Sequence, residues 1–159
     1  MPTYEELRQV VVRLADPDGM LARAVTTTHN ALVAQTVPTD STLSSAEIIR
    51  WFAQVDHNLH VSCRGVPYSI TQTMTMLRQF ALNGQIWPFI VKLALTFEEG
   101  ELLRPVVRLI YSAVQRDPQA SIVEIVESVK QIVVSSPPRE LESAHAQASA
   151  IRMIEVASA

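Results

Sequence analysis

Residues 86–97, IWPFIVKLALTF, constrain the fold more than any other stretch of the chain. Ile86, Trp87, Phe89, Ile90, Val91, Leu93, Ala94, Leu95 and Phe97 are interrupted only by Pro88, Lys92 and Thr96. A helix of this composition is apolar nearly all round, so it has no face to leave in water and must be wrapped by other helices. It is also too short for a bilayer, which takes about 20 apolar residues. Pro88 fits the first turn of such a helix, where its missing N–H would have no intrahelical partner. Residues 68–82 supply one neighbour: Ile70, Met74, Leu77, Phe80 and Ala81 share a helical face, and Gln72, Thr75, Arg78 and Gln79 fall between them. Asn83-Gly84 breaks the chain between the two helices.

The remaining segments read as further helices. Thr3 and Glu6 form a capping-box pattern ahead of Leu7, Val10, Val11 and Leu14. That helix should stop at Asp16-Pro17-Asp18-Gly19, with Asp18 placed to cap the next. A second helix carries Met20, Leu21, Ala24, Val25, Ala31, Leu32 and Val33, weakened in the middle by Thr26-Thr27-Thr28. Thr36 to Leu43 reads as a loop. Ser44 and Glu47 form another box before Ile48, Ile49, Trp51, Phe52, Val55 and Leu59. A loop from Val61 to Pro67 follows. Beyond the apolar helix, Glu98-Glu99-Gly100 marks its end, and Pro105 stands near the start of a helix with Val106, Val107, Leu109, Ile110 and Val114. Ser121 to Val134 is rich enough in valine and isoleucine for a strand. The spacing of Ile122, Ile125, Val126, Val129, Ile132 and Val133 is helical instead. After Pro137-Pro138, a last Ala-rich helix carries Leu141, Ala144, Ala148, Ile151, Ile154 and Val156. The expected fold is all-α: a single domain over residues 1–159, with about eight helices around the apolar one.

Composition narrows the function. A chain of 159 residues with 48% hydrophobic content can bury one core, and its net charge of −3 gives no basic footprint for nucleic acid. The single cysteine, Cys63, cannot form an internal disulfide, and the first residues lack the pattern of a secretory leader. A soluble, cytoplasmic protein without a C-terminal anchor or a membrane span is the expectation. Candidate catalytic groups are sparse. His57 and His60, near Asp56, lack a third ligand at recognisable spacing, so they read as solvated side chains. Cys63 has no base named for it, and Glu98, Glu99 and Glu101 read as a charged helix terminus. The four glycines are not grouped into a phosphate loop. No enzyme activity, metal or cofactor is expected.

The segment NLHVSCRGVPYSITQTMTMLRQFALNGQIWPFIV resembles the B-cell lymphoma 2 (Bcl) apoptosis regulators, from their third helix through their first homology region. There a Leu-His pair leads through a loop and an amphipathic helix to an Asp/Asn-Gly step and an apolar helix opening on Asn-Trp-Gly-Arg. Leu59-His60, Leu77, Gly84, Trp87, Ile90 and Val91 stand at the matching positions. AVQRDPQASIVEIV is a fainter likeness to the second homology region. Pro88-Phe89 replaces the family's Gly-Arg, and the Gly-Gly-Trp of the second region is absent. A short chain with these departures is most similar to the viral homologues.

The resemblance implies a Bcl-like helical bundle that inhibits apoptosis. Its partner would be the amphipathic death-motif helix of a pro-apoptotic Bcl-family protein, held in a hydrophobic groove through anchors at helical spacing. The groove walls would come from the second to fourth helices and the floor from the apolar one. Leu59, Met74, Leu77, Arg78, Phe80, Phe89, Ile90 and Leu93 are the candidate groove residues, and each apolar one is equally suited to ordinary core packing. A homodimer covering the groove stays open. The alternative is a structural assembly subunit such as a helical viral coat protein, to which Leu77-Arg78-Gln79-Phe80 bears a weaker likeness.

Overall fold

A computed structural model describes residues 2–14, 16, 18–62, 68–97, 100–135 and 144–158. They form eight α-helices: α1 (Tyr4–Val12), α2 (Met20–Ala34), α3 (Ser45–Ser62), α4 (Tyr68–Leu82), α5 (Trp87–Thr96), α6 (Gly100–Arg116), α7 (Ile122–Ser135) and α8 (Ala144–Ser158). Among the described residues the one extended pairing is an isolated bridge between Thr3 and Thr42. The all-α bundle expected from the sequence therefore forms. The apolar helix α5 packs against α1, α4, α6 and α8. Around it α2 joins α1 to α3, α3 lies on α4, and α7 sits between α6 and α8. All eight helices contribute side chains to the buried core. No helix of the described residues is long and apolar enough to cross a membrane.

Local chemistry sets most of the boundaries. The Thr3 hydroxyl accepts from the Glu6 N–H at 3.2 Å and starts α1. Ser44 and Glu47 cap each other at α3, with Ser44 Oγ 3.3 Å from the Glu47 N–H and Glu47 Oε1 3.4 Å from the Ser44 N–H. Asn83 ends α4 and turns the chain: its Oδ1 accepts from Gln85 and Ile86, and its carbonyl accepts from Trp87 at 3.1 Å. Pro88 falls in the first turn of α5, where it costs no helical hydrogen bond. A box not picked out from the sequence, Ser121 with Glu124, starts α7 and settles that β-branched segment as helix.

Several expectations are corrected. Asp16, not Asp18, caps α2: its Oδ2 accepts from the Ala22 N–H at 2.9 Å, because Gly19 at φ +67° folds the turn back over that carboxylate. Helix α2 does form over Met20–Ala34 as expected, the cost of its threonines being offset at Thr28, which is buried and whose hydroxyl donates to the Ala24 carbonyl while accepting from Asn58 of α3 at 2.8 Å. Helix α3 runs on to Ser62, past the expected loop start at Val61. Helix α6 begins at Gly100, which places Pro105 inside it rather than near its start. In α8 the core positions are Ala150, Ile154 and Ala157, whereas Ala148 and Val156 face out. Helix α5 is wet along one strip, with Pro88, Lys92 and Leu95 exposed. Residues 63–67 with Cys63, the Glu98-Glu99 pair, Pro137-Pro138 and Leu141 lie outside the described residues.

One turn carries measurable strain. Thr36 has φ +58°, a region that suits glycine and opposes a β-branched side chain. It stays there because the end of α2 closes on it, with Thr36 N–H donating to the Val33 carbonyl and Val37 N–H to that of Leu32, each at 3.0 Å. Thr36→Gly is expected to stabilise the protein by about 0.5–1 kcal/mol. The reading is a higher urea midpoint at unchanged slope; an unchanged or lower midpoint would show that the turn is not strained.

Candidate functional site

All seven apolar candidate groove residues lie in the core. Leu59 of α3, Met74, Leu77 and Phe80 of α4, and Ile90 and Leu93 of α5 are all buried. The physical reason is that α3 packs directly on α4 and α4 on α5, so the walls meet over the floor and the apolar faces fill one another. None of these six offers surface to a ligand in this conformation. Arg78 is half-buried on α4, close enough to Asp56 of α3 for their charges to interact.

Phe89 stands apart from the other candidates. It is 5% exposed and lines an open cleft of about 400 Å³ between α5, α7 and α8. Pro88 and Lys92 of α5, Ile122, Val123 and Val126 of α7, and Ala157 of α8 share that cleft. Its rim is charged. Lys130 lies 3.7 Å from Glu127 and 4.0 Å from Glu155, the second contact tying α7 to α8. Val123, 69% exposed, carries the apolar lining out to the surface. The α7 and α8 lining residues are not among the sequence candidates, because the spacing of Ile122, Ile125, Val126 and Val129 marks a helix and not what that helix faces.

His57 and His60 are exposed on α3, and among the described residues no group of three or more His, Cys, Asp or Glu side chains converges as a metal site would require. The perturbed carboxyl at Asp56 has a structural cause: burial raises its pKa, against the opposing charges of Arg78 and His60. The folded state therefore holds this proton more tightly than the unfolded chain, and stability falls as pH rises above the ordinary aspartate range. Asp56→Asn is expected to melt above wild type at neutral pH, with the gap closing as pH is lowered through that range. A lower melting temperature at neutral pH would show that attraction to Arg78 outweighs burial.

No protein-family model, curated protein or solved structure matches this chain.

Proposed function

We propose that this chain acts by binding, holding the amphipathic helix of a pro-apoptotic Bcl-family protein and so suppressing its killing activity. What supports the reading is Phe89, which stands where the resembled family has its groove-facing arginine and lines an apolar cleft at the edge of the central helix. At about 400 Å³ the cleft takes the anchor side chains of a helix rather than the whole helix, as groove recognition by spaced apolar anchors requires. Phe89, Val126 and Ala157 form its floor, Val123 its apolar margin, and Lys92, Glu127 and Lys130 its polar rim.

Thermal melting with an added helical death-motif peptide tests this. A ligand that binds only the folded state raises the melting temperature according to its concentration over its Kd. Val123→Asp is expected to melt like wild type, because its site is exposed, yet to lose about tenfold or more in affinity, because the new carboxylate is desolvated against apolar anchors. A peptide that leaves the wild-type melt unchanged at saturating concentration would sink the proposal. A second reading, the assembly subunit, draws on the exposed Val123 and Val134 of α7 and Val156 of α8, which copies of the chain could cover. Large, concentration-dependent particles in light scattering would favour it over the groove.

A further inference from the structure

A second cavity, of about 330 Å³, lies where the start of α1 meets α2 and α3. Tyr4 of α1, Gln35 at the end of α2, and Glu47, Arg50 and Gln54 of α3 give it a polar lining. Ala31 and Leu32 of α2 and Trp51 of α3 add an apolar wall. The cavity shares no lining residue with the Phe89 cleft, so it is independent of the helix-binding reading.

Its polar groups keep capacity for a ligand. Tyr4 is 8% exposed, yet its hydroxyl takes part in no hydrogen bond among the described residues, where a buried phenol ordinarily has a partner. Burial raises the pKa of Tyr4, the charge of Glu47 raises it further and that of Arg50 opposes them, so both charges reach a phenol that stays protonated. Glu47 uses one oxygen for its cap, with Oε1 2.9 Å from the Ser44 hydroxyl, and its Oε2 has no partner among the described residues. Arg50 is exposed and makes no ion pair or hydrogen bond among the described residues, with Glu47 or any other. The side-chain amides of Gln35 and Gln54 are likewise unpartnered among the described residues. Thr28 also lines the cavity but is already engaged, by the Ala24 carbonyl and by Asn58. The lining thus holds one cation and one anion that are not paired with each other, both acting on one phenol.

We propose that this cavity binds a free α-amino acid with an apolar side chain, its carboxylate on Arg50 and the Tyr4 hydroxyl, its ammonium on Glu47, and its side chain against Leu32 and Trp51. A ligand of a single sign would be attracted by one of the two charges and repelled by the other, whereas a zwitterion meets both. Glu47 and Arg50 stand three residues apart on α3, which puts their Cβ atoms about 5–6 Å from each other, within reach of two groups carried on one carbon. The guanidinium and the phenol both donate, as a carboxylate requires, and the free Glu47 oxygen accepts, as an ammonium requires. The volume lies at the small end of ligand pockets, which suits a single amino acid.

Calorimetric titration of the full chain with L-leucine tests the proposal, beside 4-methylpentanoate, which lacks the ammonium, and 3-methylbutylamine, which lacks the carboxylate. Leucine is expected to bind about tenfold or more tightly than either, the usual effect of one hydrogen bond to a charged group. Arg50→Gln, at an exposed position, should weaken leucine by about tenfold and leave 3-methylbutylamine unchanged. Glu47→Gln keeps the capping pattern of α3 and should weaken leucine while leaving 4-methylpentanoate unchanged. Tyr4→Phe keeps the ring and should weaken leucine by about threefold or more. Absence of leucine binding, binding no tighter than that of either analogue, or undiminished binding in Arg50→Gln would overturn the proposal.

Discussion

Trp87→Ala is expected to destabilise the protein by about 3–5 kcal/mol, a large part of the total stability of a domain this size. Trp87 is 1% exposed, opens α5, and is among the largest fully buried side chains of the core. Its indole Nε1 is buried with no hydrogen-bond partner among the described residues, so the ring contributes volume and apolar contact, and its donor is a cost. That distinction yields a paired expectation: Trp87→Phe should lose clearly less than Trp87→Ala, because it keeps most of the ring and removes the unpartnered N–H. Urea unfolding of the two variants checks both. Wild-type stability in Trp87→Ala would mean that the indole does not fill the core, and equal losses would mean that the N–H has a partner.

The centre of the fold was legible in the sequence because its signals are local. An all-round apolar helix, a first-turn proline, an Asn-Gly step and the Thr3/Glu6 and Ser44/Glu47 pairs each act within a few residues, and α1, α3 and α5 start where such signals put them. Errors arose where the deciding contact is distant or the pattern is flat. Asp16 displaced Asp18 as the cap of α2 because the turn at Gly19 folds back. In α8, alanines at 144, 146, 148, 150 and 157 give almost no hydrophobic contrast between faces, so packing on α5 and α7 chose the buried ones. The same limit governs the candidate site. Spacing shows that Leu77, Phe80, Ile90 and Leu93 need cover, but not whether a partner's helix or the chain's own α3 and α4 supply it. The structure has them covered from within. At Phe89 the neighbours are α7 and α8, far along the sequence, and no local pattern shows that they stop short of closing over the ring.

Phe89→Ala separates a core role from a binding role at that position. The ring is nearly as buried as Trp87, so truncation should cost about 3 kcal/mol, the lower end of the range for a buried phenylalanine. The lower end follows from the cleft. On that side the ring faces open volume, so fewer dispersion contacts are lost and solvent can enter the space left behind. A buried aromatic at the floor of a pocket is also the kind of residue on which binding energy concentrates. The same variant should therefore bind a helical death-motif peptide at least about tenfold more weakly, measured well below its melting temperature so that the two effects stay separate. Phe89→Leu serves as the comparison, since it retains apolar volume and should recover most of the stability while restoring only part of the affinity. Loss of stability with unchanged peptide affinity would make Phe89 a core residue alone and remove the cleft from the proposed site.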